Sequence, residues 1–122
     1  MGEININGTI YVPKSSVSSV VNAKGLKAVL IRSYAAGVHF GYLENEEFTP
    51  AGKVVTLVNT QRVWYWDGAC SLSQMALEGV KNPENCKFSV EIPRNEIVNV
   101  IETIELADSA FINLKKVAIW KK

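Results

Sequence analysis

In the stretch EININGTIYV, Ile4, Ile6, Ile10 and Val12 fall on even positions with polar residues or glycine between them. That period of two predicts a half-buried strand over Glu3 to Val12, which Pro13 ends. The serine-rich KSSVSSVVNAKG that follows reads as loop, and Gly25 breaks it from the next apolar run. LKAVLIRSYAAGVHFGYLENEEF then predicts two strands, Lys27 to Tyr34 and Val38 to Glu44, joined as a hairpin through Ala35, Ala36 and Gly37. The run KVVTLVNTQRVWYW is rich in β-branched and aromatic residues and fits one long strand, or two interrupted near Asn59 and Thr60. From Ser71 the period changes. Leu72, Met75, Ala76, Leu77 and Val80 recur at three- and four-residue spacing, so a short helix is predicted, capped by Asp67 or Ser71 and stopped at Gly79. NPENC reads as loop, KFSVEI and Val98 to Leu106 as extended. Asp108 precedes SAFINLKKVAIW, where Phe111, Leu114 and Ala118 with the flanking Ile112 and Ile119 predict a terminal helix, a partly extended ending being the alternative.

These elements predict an α+β fold: a mainly antiparallel amino-terminal sheet of four to five strands, with two helices in the C-terminal half. Strand and helix units do not alternate and no glycine-rich phosphate loop occurs, which excludes a doubly wound parallel sheet. At 122 residues the chain has the size of one domain, 1–122, and 48% hydrophobic with 20% charged residues is globular composition. Thirteen Lys and Arg balance twelve Asp and Glu, so no broad positive field draws it to duplex nucleic acid. Cys70, Cys86 and the sole histidine fall short of a zinc set, and both cysteines read as reduced. No leader-like apolar segment or membrane-length run is present, so the expected location is the cytoplasm.

Candidate chemistry is sparse. His39 lies in GVHFGY between apolar neighbours, with no nucleophile elbow or second metal ligand beside it, and reads as a structural histidine. Glu44, Glu46 and Glu47 read as a solvated turn. Lys115, Lys116, Lys121 and Lys122 read as charged surface. The stretch RVWYWDGACSLSQMALEG differs in kind. Strand alternation puts Arg62, Trp64 and Trp66 on one face and Val63 and Tyr65 on the other, so a guanidinium stands beside indole rings. An indole offers a base a stacking surface, and an arginine fork holds phosphate through two parallel bonds. Asp67 and Gly68 lead to a helix start whose amides and dipole favour anions, with Ser71 and Ser73 adding hydroxyls. The competing reading is that both indoles fill the core and Arg62 lines its rim.

The run RVWYWDGACSLSQMALEGVKNPENCKF, with IRSYAAGV before it and AIW near the end, resembles the first Thoeris anti-defence family of small phage-encoded proteins. The likeness is clearest from Lys27 to Pro93. It implies a sponge that sequesters the cyclic ADP-ribose isomers made by TIR-domain enzymes in the infected bacterial cytoplasm, without cleaving them and with no cofactor. Some members also capture cyclic oligonucleotides at separate places in a higher assembly. The candidate ligand-binding residues lie in the matching segments: Arg32, Tyr34, Gly37, Arg62, Trp66, Asp67, Ser71, Asn85 and Phe88. Aromatics would stack, arginines hold pyrophosphate, and Asp67 and Asn85 accept from ribose or adenine. A domain this small encloses such a ligand poorly alone, so a homo-oligomer is expected, a dimer or higher, up to a hexamer. The alternative is a protein-protein interaction module that inhibits a host enzyme, which predicts an exposed apolar patch.

Overall fold

The computed structural model describes residues 25–121. The strand predicted over Glu3 to Val12 and most of the serine-rich loop lie outside the described residues. Among those described, the order is β1 (Ala28–Ser33), β2 (Gly37–Thr49), β3 (Gly52–Tyr65), α1 (Leu72–Glu78), β4 (Lys87–Phe88), β5 (Ile92–Ile97), β6 (Val100–Glu105) and α2 (Asp108–Lys115). A single 3-10 turn, Pro83–Asn85, stands between α1 and β4. The fold is α+β. All strand pairings in its six-stranded sheet are antiparallel, and three of the strands come from the second half of the chain.

The first hairpin forms as the sequence predicts: Ser33 faces Gly37 and Ala28 faces Tyr42, and Gly37 supplies a φ of +82° at the turn. β2 runs on past Glu44 to Thr49, where its charged second half pairs with Gly52–Thr56. The glutamates predicted to sit in a turn therefore lie on a strand, with Glu46 held by Lys53 at 2.8 Å and Glu44 by Arg94 at 2.8 Å. β3 is one strand, and the interruption near Asn59 and Thr60 is a bulge. Tyr42 faces Val58 but Phe40 faces Gln61, so the ladder shifts there, and Asn59 takes a φ of +50°. Asparagine tolerates that left-handed conformation better than other side chains.

One edge of β3 serves two partners. Its first half pairs with β5 from Val55 to Thr60, and its end pairs with β4 at Val63 and Tyr65. β6 meanwhile pairs with β1, at the opposite edge. Only Val98 and Asn99 join β5 to β6. The link from Ile97 to Val100 reaches about 11 Å at most, whereas four strand spacings of a flat sheet are about 19 Å. The sheet must therefore curl, and the Lys53 ammonium reaches Thr103 Oγ1 at 3.1 Å across the closing side. Inside the curl Val29, Ile31, Val55, Leu57, Ile97 and Val100 form one core. On the other face Leu30, Phe40, Val63, Phe88 and neighbours pack under Met75 and Ala76 of α1 and Ala110, Phe111 and Leu114 of α2.

Ser71 caps α1, its hydroxyl accepting from the Gln74 amide at 3.1 Å. Asn113 of α2 joins the helices, accepting from the Val80 amide at 2.8 Å and donating to the Val80 carbonyl at 3.0 Å. α2 ends sooner than its sequence implies. Val117 is buried while Ile112, Ala118 and Ile119 are exposed, because the tail leaves the helix to lie along β4. There Ile119 bridges Phe88 and the Trp120 amide donates to the Phe88 carbonyl at 2.8 Å.

The bulge also demands a glycine across from it. A methyl group on Gly41 would stand 2.8 Å from Thr60 Cβ and 2.9 Å from its Cα. Gly41→Ala is expected to cost about 1–3 kcal/mol through overpacking, read as a lower urea midpoint with an unchanged slope. An unchanged midpoint would show that the strands are not so tightly apposed.

Candidate functional site

β3 brings Arg62 directly opposite His39 of β2, on the sheet face that carries the inner core. The two line a cavity of about 240 Å³ whose other walls include Trp64, Gln61, Ser89, Ile92 and Asn95. Trp64 is 56% exposed, and the Arg62 guanidinium carbon lies 5.2 Å from its ring centre. That is the distance of a cation resting on an aromatic face. Among the described residues no carboxylate lies within ion-pair reach of Arg62, and its Nε is buried without a hydrogen-bond partner. A buried donor left unpaired costs free energy.

The chain fixes this wall tightly. Ser89 Oγ accepts from the Arg62 amide at 2.7 Å, the Arg62 carbonyl accepts from the Ser89 amide at 2.9 Å, and Gln61 Nε2 donates to the Ser89 carbonyl at 2.9 Å. His39 is buried, and its Nε2 lies 2.9 Å from the Ala36 carbonyl. Burial lowers the His39 pKa most, the carbonyl bond raises it, and the Arg62 charge lowers it further. The net shift is downward, so at pH 7 the ring is neutral. In that form Nε2–H donates to Ala36 and Nδ1 is left an acceptor.

The predicted residues separate into four places. Arg62 alone lines this cavity. Arg32, Tyr34 and Gly37 lie at the first hairpin turn, where Arg32 is ion-paired to Glu102 at 3.3 Å and Tyr34 is 86% exposed. Asp67, Ser71 and Asn85 gather around α1: Asn85 Nδ2 donates to Asp67 Oδ2 at 2.9 Å, and Ser71 caps the helix. Gln74 Oε1 also accepts from the Cys70 amide at 2.8 Å. The Cys70 and Gln74 amides at this helix start are therefore bonded within the chain, and α1 packs on the face of the sheet opposite Arg62. Phe88 is fully buried and serves the core.

Trp66 does not share a face with Arg62 and Trp64. β3 ends at Tyr65 after a second bulge, the ladder skipping Trp64 between Val63↔Phe88 and Tyr65↔Lys87. The lost alternation turns Trp66 back onto the helix-side core, with its Nε1 donating to the Ala69 carbonyl at 3.3 Å. Trp64 is the indole that stays with Arg62, and alternation from Arg62 already pointed to it. Asn95, Ser89 and His39 had no such signal, since each reaches the cavity through pairing between distant segments: Asn95 by β3–β5, His39 by β2–β3, and Ser89 by its bonds to Arg62 just past β4. Cys70 and Cys86 are both free thiols. Burial pushes the Cys86 thiol up, and its sulfur accepts from the Asp67 amide at 3.4 Å.

A family model described as a domain of unknown function, DUF6948, matches residues 26–114. The chain belongs to that family. The DUF6948 match spans every strand described above and nearly all of α2, so it includes the whole Arg62 cavity. No curated protein and no solved structure matches the chain. Among the described residues of this DUF6948 chain no cluster of His, Cys, Asp and Glu is placed to hold a metal ion, and no helix is long and apolar enough to cross a membrane.

The His39 shift gives a signed prediction. The folded pKa lies below the unfolded one, so the unfolded chain takes the proton first as pH falls, and stability rises with pH across that interval. The contribution of His39 is fully present above about pH 6.5, its unfolded value, and is lost as pH drops through the folded value. Urea midpoints from pH 7.5 to 5 are expected to fall less for His39→Gln than for the unsubstituted protein. Parallel curves would refute a buried neutral ring.

Proposed function

We propose that this protein binds a small phosphate-bearing ligand with an aromatic base at the Arg62–Trp64 cavity and sequesters it without turnover. The observation that carries this is a guanidinium with no carboxylate partner among the described residues, laid on an exposed indole beside amide and imidazole acceptors. Phosphate would take the terminal nitrogens of the Arg62 guanidinium. The base would stack on Trp64, and Asn95 with His39 Nδ1 would meet ribose or base polar groups. Among such ligands, cyclic ADP-ribose isomers are the ones implied by the resemblance to Thoeris sponges, and we adopt that class. A cavity of about 240 Å³ takes one ring or one phosphate and not the whole molecule. The remainder would be covered by a second copy, which makes the working form a homo-oligomer.

An interaction module inhibiting a host enzyme is favoured by a different observation, the exposed Phe48 at the tip of the β2–β3 hairpin and Tyr34 at the neighbouring turn. Calorimetry with cyclic ADP-ribose isomers separates the two readings. Sequestration is expected to show a saturable heat, a loss of affinity of about tenfold or more in both Arg62→Ala and Trp64→Ala, and intact ligand recovered after the protein is denatured by heat. No binding of any isomer would end the reading in favour of the interaction module, and recovery of a cleaved product would replace sequestration with catalysis.

A further inference from the structure

Trp64 also belongs to a second surface, which faces outward from the end of β3. At the second bulge Trp64 and Tyr65 together stand opposite the single Lys87. The Lys87 ammonium lies 5.3 Å from the ring centre of Trp120, whose backbone is bonded to β4 at Phe88. The three rings are exposed by 56%, 54% and 49%. They lie on three adjacent rows, β3, β4 and the C-terminal tail, which two strand spacings place about 10 Å apart from first to last. Scattered exposed aromatics are ordinary. Here three are contiguous, and the cations interleaved with them, Arg62 and Lys87, rest on aromatic faces instead of pairing with carboxylates among the described residues.

We infer that this surface binds single-stranded nucleic acid, with bases laid on Trp64, Tyr65 and Trp120 and phosphates met by Arg62 and Lys87. A ring face accepts any unpaired base, and a cation beside each stack lets the backbone pass without unpaired charge. A duplex hides its base faces and offers nothing to these rings. A second copy of this chain fits the outer part of the patch less well, because a two-fold contact centred on Lys87 and Trp120 would bring the Lys87 ammonium groups of both copies together. The inference goes beyond the small-ligand reading: Tyr65, Lys87 and Trp120 stand outside the Arg62 cavity, and Arg62 and Trp64 are shared by the two surfaces.

The test uses the full chain and a short fluorescein-labelled oligo-thymidine strand, followed by anisotropy at several salt concentrations. Binding is expected, with log K falling against log salt at a slope of about −1.4 for two neutralised phosphates. Trp120→Ala should weaken it by about tenfold, with recovery in Trp120→Phe, while cyclic ADP-ribose binding stays unchanged. Trp64→Ala should weaken both ligands. The inference is overturned if the strand does not bind at low salt, if a duplex of equal length binds as tightly, or if Trp120→Ala leaves strand affinity unchanged. It is equally overturned if Trp120→Ala instead converts an oligomer to monomers, since the patch would then be an interface between copies. Failure of cyclic ADP-ribose to bind, with strand binding intact, removes only the small-ligand reading.

Discussion

Strand β5 leaves the edge of β3 at Ile97, and three residues later the chain is paired with β1 on the far side of the sheet at Val100. That short crossing sets the geometry of the remainder. It obliges the sheet to curl, which gives the inner face a small aliphatic core of its own and leaves the outer face to be covered by α1 and α2. The backbone at the crossing is held accordingly. Asn99 takes a φ of +54°, its carbonyl accepts from the Tyr34 amide at 3.0 Å, and the Val98 carbonyl accepts from Ser33 Oγ at 2.7 Å. β5, paired with the first half of β3, sets Ile92 and Asn95 into the wall of the cavity beside Arg62, so the site is a product of topology as much as of its own residues.

Local signals carried much of this fold. The hairpin through Gly37, the cap at Ser71, the stop at Gly79 and the break near Asn59 all rest on chemistry within a few residues, and each is found where that chemistry places it. Two kinds of feature were not legible. Long-range pairing was one: nothing in Ile92–Ile97 announces that it borders β3 while the next strand borders β1, and Pro93 in that segment argues for an edge. Bulges were the other. A single extra residue at Trp64 reverses the sides of everything after it, so a period-two count that is right for Arg62 and Trp64 is wrong for Trp66. The candidate residues around Asp67 and Asn85 do meet each other, but across the sheet from Arg62.

The cations of this protein divide by what neutralises them. Lys27, Arg32, Lys53, Arg94 and Lys115 each have a carboxylate, and Lys115 in addition lies over the rings of Phe40 and Phe111 while pairing with Glu91. Exposed pairs of this sort add little stability; what they do is use up charge. Among the described residues Arg62 and Lys87 have no carboxylate partner and rest on the faces of Trp64 and Trp120. Exposed indoles thus carry unpaired positive charge beside them, a local feature that the overall balance of thirteen cations and twelve anions conceals.

Ser89 bonds to Arg62 twice and to Gln61 once, so the cavity wall and the sheet edge are a single hydrogen-bonded piece. The wall cannot swing outward without unzipping β3 from its neighbour. The shape of this wall is thus set within the chain, and for the ligand proposed above that would spare the entropy of ordering a loop around it. Selection by shape would then fall on the one ring or phosphate that enters, and the rest of the molecule would be chosen by whatever lies at the mouth.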